Sequence, residues 1–119
     1  MEIETVLNYL ANSINLDGIL AEEIKKSLAA DVAAEMGHAQ QLGNRIKVLG
    51  GAVPGSAVFK ATQKSLQPPP LSTDVLSVIK GVLEAEDAAI EHYNATIKLC
   101  EGLDYVTQDV LVKLLGDEE

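Results

Sequence analysis

A glutamate and a histidine stand three residues apart in the middle of a predicted helix, at Glu35 and His38. Residues three apart lie on one side of an α-helix, so both side chains point the same way. Glu35 also shares a seven-residue line with Leu28 and Leu42, which places its carboxylate among apolar side chains that face the core. A buried carboxylate needs a proton, an ion-pair partner or a shared cation. The pair therefore indicates a metal site.

Two more carboxylates fall on core-facing helix lines further along the chain. Glu86 stands seven residues after Ile79 and seven before Tyr93. Glu118 stands seven residues after Leu111. Each carboxylate thus interrupts an otherwise apolar line, as Glu35 does, and needs the same compensation for its burial.

Four helices must position these side chains, and turn signals set their limits. Gly18, Gly50 and Gly102 each follow a helical pattern and are typical of helix ends. Ser72 or Thr73 offers an N-cap for the third helix. A run of three prolines excludes a continuous helix between the second and third patterns. The predicted elements are helix A over about 1–15, helix B over about 20–49, a crossover loop over 50–73, helix C over about 74–101 and a partial helix D over about 107–119.

Helix A is predicted from a stripe of apolar residues spaced three and four apart, which is the pattern of an amphipathic helix. The stripe consists of Ile3, Val6, Leu7, Leu10, Ala11 and Ile14.

The lengths of the connections predict how the helices are joined. Short turns force helices A and B, and helices C and D, into antiparallel hairpins. A loop of about 24 residues spans up to about 80 Å when extended, so it can return along the length of a helix. The predicted fold class is therefore all-α: one domain over residues 1–119, with two antiparallel hairpins joined by a long crossover.

The numbers of residues between the carboxylates and the turns predict that the carboxylates lie at one level of this bundle. Glu2 and Glu35 lie on either side of Gly18, the glycine of the first turn, and their separations from it differ by a single position. Glu86 and Glu118 lie equally far from Gly102, the glycine of the second turn. Four convergent carboxylates and one imidazole form a site that suits iron or manganese better than metals that prefer thiolates.

Composition and charge exclude several classes of function. Apolar residues make up 47% of the chain and aromatic residues 3%, which favours helix packing. The formal net charge of −9 argues against nucleic-acid partners and anionic membranes. The single cysteine, Cys100, cannot form a disulfide within the chain, so a cytoplasmic location is expected. No apolar run approaches the length of a membrane span.

The chain resembles the ferritin-like superfamily, and within it the bacterioferritin-related proteins, over essentially its whole length. The resemblance rests on the Glu-x-x-His pair and on a Glu-x6-Tyr pattern that occurs twice, once near the start of helix A and once in helix C. It implies a ferritin-like four-helix bundle with a di-iron centre. The ligands it implies are Glu2, Glu35, His38, Glu86 and Glu118, with Tyr9 and Tyr93 as their hydrogen-bonding partners. Glu4 is an alternative to Glu2, and Glu119 is an alternative to Glu118.

The resemblance also implies a function: an oxidoreductase of the ferroxidase type that oxidises ferrous iron with oxygen or peroxide, stores it, and forms a homo-oligomer. A rubrerythrin-like peroxide-reducing protein is a rival, against which the absence of its usual cysteines counts. A metal-free helical interaction module is a second rival. Met36 directly follows Glu35, as does the haem-binding methionine of some bacterioferritins. An ordinary helix methionine is the favoured interpretation over a haem ligand.

The resemblance further implies a bundle that is cut at both ends. The first ligand falls at position 2, and residues 117–119 match the start of a family Asp-Glu-Glu-x-His run. The histidine of that run would fall two residues beyond Glu119. We therefore expect an incomplete metal site, and apolar residues such as Ile24 and Leu28 that a second chain must cover.

Overall fold

The computed structural model describes residues 1–119, which form four α-helices and no strand. Helix α1 packs along α2, and α3 packs along α4, as the predicted pair of hairpins requires. None of the helices combines the length and the apolar character needed to cross a membrane. The elements are α1 (Glu2–Asn15), a 3₁₀ turn (Ile19–Ala21), α2 (Glu22–Val48), a second 3₁₀ turn (Ser56–Val58), α3 (Val75–Cys100) and α4 (Tyr105–Glu118).

Helix α2 ends at the predicted glycine pair. Gly50 has a φ of +91°, a left-handed conformation that a glycine adopts without strain. Its N–H donates to the carbonyl of Lys47 at 3.1 Å, and the N–H of Gly51 donates to the carbonyl of Ile46 at 2.9 Å. These two bonds form a Schellman motif, which satisfies carbonyls that the helix end would leave unpaired.

The N-cap of helix α3 lies one or two residues after the predicted position. Asp74 is the N-cap, and its carboxylate accepts from the N–H of Ser77 at 3.1 Å. The prediction of Ser72 or Thr73 at this position is wrong. The hydroxyl of Ser72 donates instead to the carboxylate of Asp17 at 2.7 Å, which ties the start of α3 to the turn after α1.

Helix α4 begins at Tyr105, two residues before the predicted start, because Asp104 caps it. The Asp104 carboxylate accepts from the N–H of Thr107 at 3.1 Å and also from its hydroxyl. Arg45 of α2 donates to the Thr107 hydroxyl at 2.7 Å and lies 3.3 Å from the same carboxylate. These contacts fasten the start of α4 to α2 and so orient the helix that carries Glu118.

The crossover between α2 and α3 supplies part of the core. Leu66 is 3% exposed and packs in one cluster with Tyr9 and Leu28. A Cβ atom on Gly81 of α3 would lie 2.9 Å from the Leu66 nitrogen, so this close approach requires glycine. Leu28 is buried and Ile24 is partly buried against the same cluster. The expectation that a second chain must cover these two residues is therefore wrong.

Helix α1 is amphipathic, but most of its apolar stripe points away from the core. Of that stripe only Val6 is buried, whereas an apolar stripe ordinarily faces the interior. The buried side carries polar residues instead, including Glu2, Thr5 and Tyr9. Hydrophobicity alone therefore did not orient this helix, because polar residues of the site and of the crossover contacts occupy its inner surface.

A third side of α1 is hydrogen-bonded to the crossover. The buried Glu4 carboxylate accepts from the N–H groups of Thr62 and Gln63, the latter at 3.1 Å. The Asn12 amide donates to the Leu66 carbonyl at 2.7 Å. The crossover thus holds α1 at both ends and fixes the height of the acidic residue at its start.

Candidate metal centre

Three helices bring four side chains together inside the bundle. Glu2 comes from the first turn of α1, Glu35 and His38 from the middle of α2, and Glu118 from the last turn of α4. Their ligand atoms all lie within 4.8 Å of one another. Each of these side chains is at most 10% exposed. We call this group the carboxylate cluster.

The imidazole of His38 faces carboxylate oxygens with both ring nitrogens. Its Nδ1 lies 3.3 Å from Glu118 Oε1, 3.5 Å from Glu35 Oε2 and 3.9 Å from Glu2 Oε2. Its Nε2 lies 3.1 Å from Oδ2 of Asp117. An ionised carboxylate only accepts hydrogen bonds, so Nε2 carries the proton of this contact. Nδ1 points towards three acidic side chains.

Polar atoms of the cluster are buried without partners. Glu2 Oε2, His38 Nδ1 and Glu118 Oε1 have no hydrogen bond. Burial raises the pKa of Glu35, and the adjacent Glu2 carboxyl adds to the rise. Burial also raises the pKa of Glu118. A cation among these atoms would satisfy all three and relieve the repulsion, so the residues fit a metal ion.

Tyr93 orients the Glu2 carboxylate. Its hydroxyl donates to Glu2 Oε1 at 2.7 Å, and its ring is 1% exposed. Burial, together with the hydrogen bond to Glu2, raises the pKa of Tyr93, so the hydroxyl keeps its proton at neutral pH and remains a donor. The second oxygen of Glu2 is left to face the carboxylate cluster.

Glu86 lies beside the carboxylate cluster but is not one of its four members. It is half-buried and lines a small cavity together with Glu35, Glu118 and Tyr9. The cavity has a volume of about 10 Å³, which is room for a single ion or water and not for an organic substrate. Burial raises the pKa of Glu86, and the charges of Glu118 and Asp31 raise it further.

Comparison of the sequence with models of known protein families identifies the family of this chain. The model of the Ferritin-like domain matches residues 1–119, the whole chain. This chain belongs to the ferritin-like family. The predicted superfamily and the predicted all-α four-helix fold are thereby confirmed.

Relatives of this ferritin-like chain carry names connected with iron. A bacterioferritin from Desulfovibrio desulfuricans is 27% identical over 120 residues, which cover 100% of this chain and 63% of that protein. A bacterial ferritin from Neisseria meningitidis is 34% identical over 90 residues, or 75% of this chain and 53% of that protein. This chain thus spans less than two thirds of either relative.

A solved structure shows the same fold. It is the dodecameric thioferritin, a bacterioferritin-related protein, of Bacteroides fragilis. The TM-score is 0.84 at 23% sequence identity, and the match covers 98% of this chain and 70% of that one. The fold of the described chain is therefore that of a ferritin-like bundle.

The structure also separates the alternatives within this ferritin-like chain. Glu4 is engaged by the crossover and Glu119 is exposed, so neither joins the carboxylate cluster. Met36 is 49% exposed on the outer surface of α2. Sequence reasoning missed Asp117 as the partner of His38. Its position directly before Glu118 was the available signal, although adjacent helix residues point in different directions.

Sequence reasoning also gave no role to Asp31. It is half-buried, burial raises its pKa, and its charge acts on Glu86. Asp31 stands seven residues before His38, so the spacing already placed it on the inner side of α2.

A larger cavity adjoins the carboxylate cluster on one side. It has a volume of about 420 Å³ and an apolar lining that includes Leu42, Ile46 and Phe59. It meets the carboxylate cluster only through Glu2, next to Tyr93. The carboxylates that can bind a cation therefore line the smaller cavity.

Proposed function

We propose that this ferritin-like chain binds ferrous iron at the carboxylate cluster and oxidises it to ferric iron. The observation that carries the proposal is the geometry at His38. The buried ring nitrogen Nδ1 lies 3.3 to 3.9 Å from three carboxylate oxygens and has no hydrogen bond. Such an arrangement needs bound protons or a cation among these atoms, and a ferrous ion supplies the cation.

The charges of the site match a pair of ferrous ions. Glu2, Glu35, Glu86 and Glu118 carry four negative charges when ionised, and two ferrous ions carry four positive charges. His38 supplies one nitrogen ligand, and its hydrogen bond to Asp117 keeps the ring oriented. We place the first ion at the carboxylate cluster and the second beside Glu86, with Glu35 and Glu118 lying between the two positions.

Iron is the substrate in this proposal, and oxygen or peroxide is the oxidant. Two ferrous ions each release one electron, and the two electrons with two protons from solvent reduce one dioxygen to hydrogen peroxide or one hydrogen peroxide to two waters. The chain contributes position and charge: it holds both ions close together and replaces their water by carboxylate oxygens. The names of the bacterioferritin and bacterial ferritin relatives support iron as the metal.

Self-association is part of the same proposal. The similar thioferritin is described as dodecameric, and we propose that copies of this chain also form a homo-oligomer. The proposal makes no use of the exposed Met36, because nothing around that side chain favours a haem over an ordinary surface methionine.

The chain offers a matched pair of histidines for a direct test. His38 is buried in the carboxylate cluster, whereas His92 is exposed on α3. We expect His38→Ala to slow ferrous oxidation by at least about 100-fold, because it removes the only nitrogen ligand of the first ion. His92→Ala should leave the rate unchanged. Stopped-flow absorbance of the ferric product measures both.

Circular dichroism of both variants controls for loss of the helices. A His38→Ala protein that is folded and oxidises iron at the rate of the unmodified chain would contradict the proposed site.

A further inference from the structure

The first turn of α1 carries two glutamates that face opposite sides of the helix. Glu2 and Glu4 stand two residues apart, and two residues turn an α-helix by about 200°. Glu2 faces the carboxylate cluster, whereas Glu4 faces the crossover. Both residues are buried, at 6% exposure each. Glu4 therefore holds the helix from the side opposite the one that carries the candidate ligand.

The Glu4 carboxylate accepts hydrogen bonds with both of its oxygens. Oε1 accepts from the N–H of Thr62, and Oε2 accepts from the N–H of Gln63 at 3.1 Å. The hydroxyl of Thr62 lies 3.4 Å from Oε2. Hydrogen bonds from N–H groups to a carboxylate are stronger than those between two neutral groups. Glu4 is therefore a firm attachment of α1 to the crossover.

The crossover is itself fixed against α3 close to these residues. Leu66 is 3% exposed, and a Cβ atom on Gly81 of α3 would lie 2.9 Å from its nitrogen, so the crossover has no room to move closer to that helix. Further along α3, Tyr93 donates to Glu2 at 2.7 Å. Through the crossover, Glu4 thus ties the first turn of α1 to the helix that supplies the hydrogen-bond donor of Glu2.

The N-cap of α1 does not provide this attachment. Met1 is the N-cap, and it makes no side-chain cap hydrogen bond. The first N–H groups of a helix have no partner within it, and helix ends fray. The hydroxyl of Thr5 donates to the Met1 carbonyl at 3.1 Å, which is a contact within the helix itself. The position of the first turn therefore depends on contacts with the rest of the chain, such as those of Glu4.

We infer that Glu4 is a positioning residue for the metal centre: its hydrogen bonds to the crossover hold Glu2 at the height where its carboxylate meets the first ferrous ion. The inference rests on the iron binding proposed above. A metal ligand acts at full strength only when it is held to within about 0.5 Å of its productive position. Glu4 lies outside the carboxylate cluster, so its effect reaches the ion only through Glu2.

Glu4→Gln tests this role with almost no change in size. The amide keeps one acceptor oxygen but turns an NH2 group towards one of the crossover N–H groups, so one hydrogen bond is lost. We expect the tighter ferrous ion to bind about 10-fold more weakly and the weaker ion to stay within about threefold of its original affinity. Calorimetric titration with ferrous iron under anaerobic conditions measures both affinities, and circular dichroism reports the helix content.

Two control variants separate this effect from a general loss of stability. Glu84→Gln makes the same chemical change at an exposed site on α3 and should leave both affinities unchanged. Asn12→Ala removes the hydrogen bond to the Leu66 carbonyl. It should lower the urea midpoint but keep the tighter ion within about threefold, because Asn12 lies about 15 Å along the helix from Glu2. A weakening equal to that of Glu4→Gln would make the loss one of stability and overturn the inference.

A double-variant cycle shows whether Glu4 acts through Glu2. In a chain with Glu2→Ala there is no carboxylate at position 2 to hold, so adding Glu4→Gln should change the affinity of the tighter ion by less than about twofold. An equal weakening with and without the Glu2 side chain would overturn the inference and leave the iron site standing. So would a folded Glu4→Gln chain with unchanged affinities. An unmodified chain that binds no ferrous iron would overturn both the proposed function and this inference.

Discussion

The two helix hairpins contribute unequally to the metal centre. The first hairpin, α1 and α2, supplies Glu2, Glu35 and His38 to the carboxylate cluster. The second hairpin, α3 and α4, supplies only Glu118 to it, and its other inward carboxylate, Glu86, lies outside the group. The sequence pattern repeats between the hairpins, but the geometry does not.

The tyrosines differ in the opposite sense, because each one lies beside a carboxylate of the other hairpin. Tyr93 donates a 2.7 Å hydrogen bond to Glu2 and so orients a carboxylate of the cluster. Tyr9 lies beside Glu86 in the small cavity, where burial and the Glu86 charge raise the pKa of its hydroxyl. The comparison indicates one ion position with an orienting hydrogen bond and a nitrogen ligand, and a second position held by carboxylates alone.

The largest expected effect comes from removing one carboxylate on each side of this comparison. Glu2→Gln should weaken the tighter ferrous ion by about 10- to 100-fold, because Glu2 is a member of the carboxylate cluster. Glu86→Gln should abolish the weaker ion and leave the tighter one within about threefold of its original affinity. Calorimetric titration with ferrous iron under anaerobic conditions measures both affinities. If both variants weaken the tighter ferrous ion equally, the two ion positions are not unequal as proposed.

A smaller effect is expected from the tyrosine hydroxyls. Tyr93→Phe should reduce the free energy of unfolding by about 1 to 2 kcal/mol, because it leaves a buried carboxylate oxygen of Glu2 without its donor. Tyr9→Phe should reduce the free energy of unfolding by less than about 1 kcal/mol. Urea denaturation of the metal-free proteins compares them. If Tyr9→Phe lowers the free energy of unfolding more than Tyr93→Phe does, Tyr93 does not make the stronger hydrogen bond of the two tyrosines.

The smallest expected effect is a change in stability with pH that comes from Asp104, the N-cap of α4. Hydrogen bonds from Thr107 keep the pKa of Asp104 below its usual value, and Arg45 adds to this. A carboxylate with a lowered pKa stabilises the fold above its ordinary pKa, and that contribution disappears as the pH falls through the lowered value. The urea midpoints of the unmodified chain and of Asp104→Asn should therefore differ most above about pH 5 and converge as the pH falls below about 4. A difference that stays constant with pH would exclude ionisation of Asp104 as the cause.

The helices and much of the site could be predicted from local pattern. Seven-residue lines and matched distances from two turns predicted Glu2, Glu35, Glu86 and Glu118 at one level, because helix geometry is regular and the turns are short. The structure brings Glu2, Glu35 and Glu118 together with His38 and leaves Glu86 beside this group. Their role as iron ligands stays a prediction, as does the role of Glu86.

The remaining features depend on contacts that no local pattern contains. The crossover has no period, so nothing in the sequence showed that Leu66 enters the core over Gly81. Periodicity revealed the apolar stripe of α1, but not which way it faces, because a stripe can pack against its own bundle or against another chain. The N-cap of α3 lies within a run of three cap-forming residues, of which Asp74 is used.

Anomalous scattering at the iron edge, from crystals grown with ferrous iron under anaerobic conditions, tests the central claim most directly. Our account predicts one strong peak beside His38 Nδ1, bounded by the carboxylates of Glu2, Glu35 and Glu118, and a weaker peak beside Glu86. Peaks only at exposed carboxylates such as Glu22 and Glu23, with none beside His38, would contradict it.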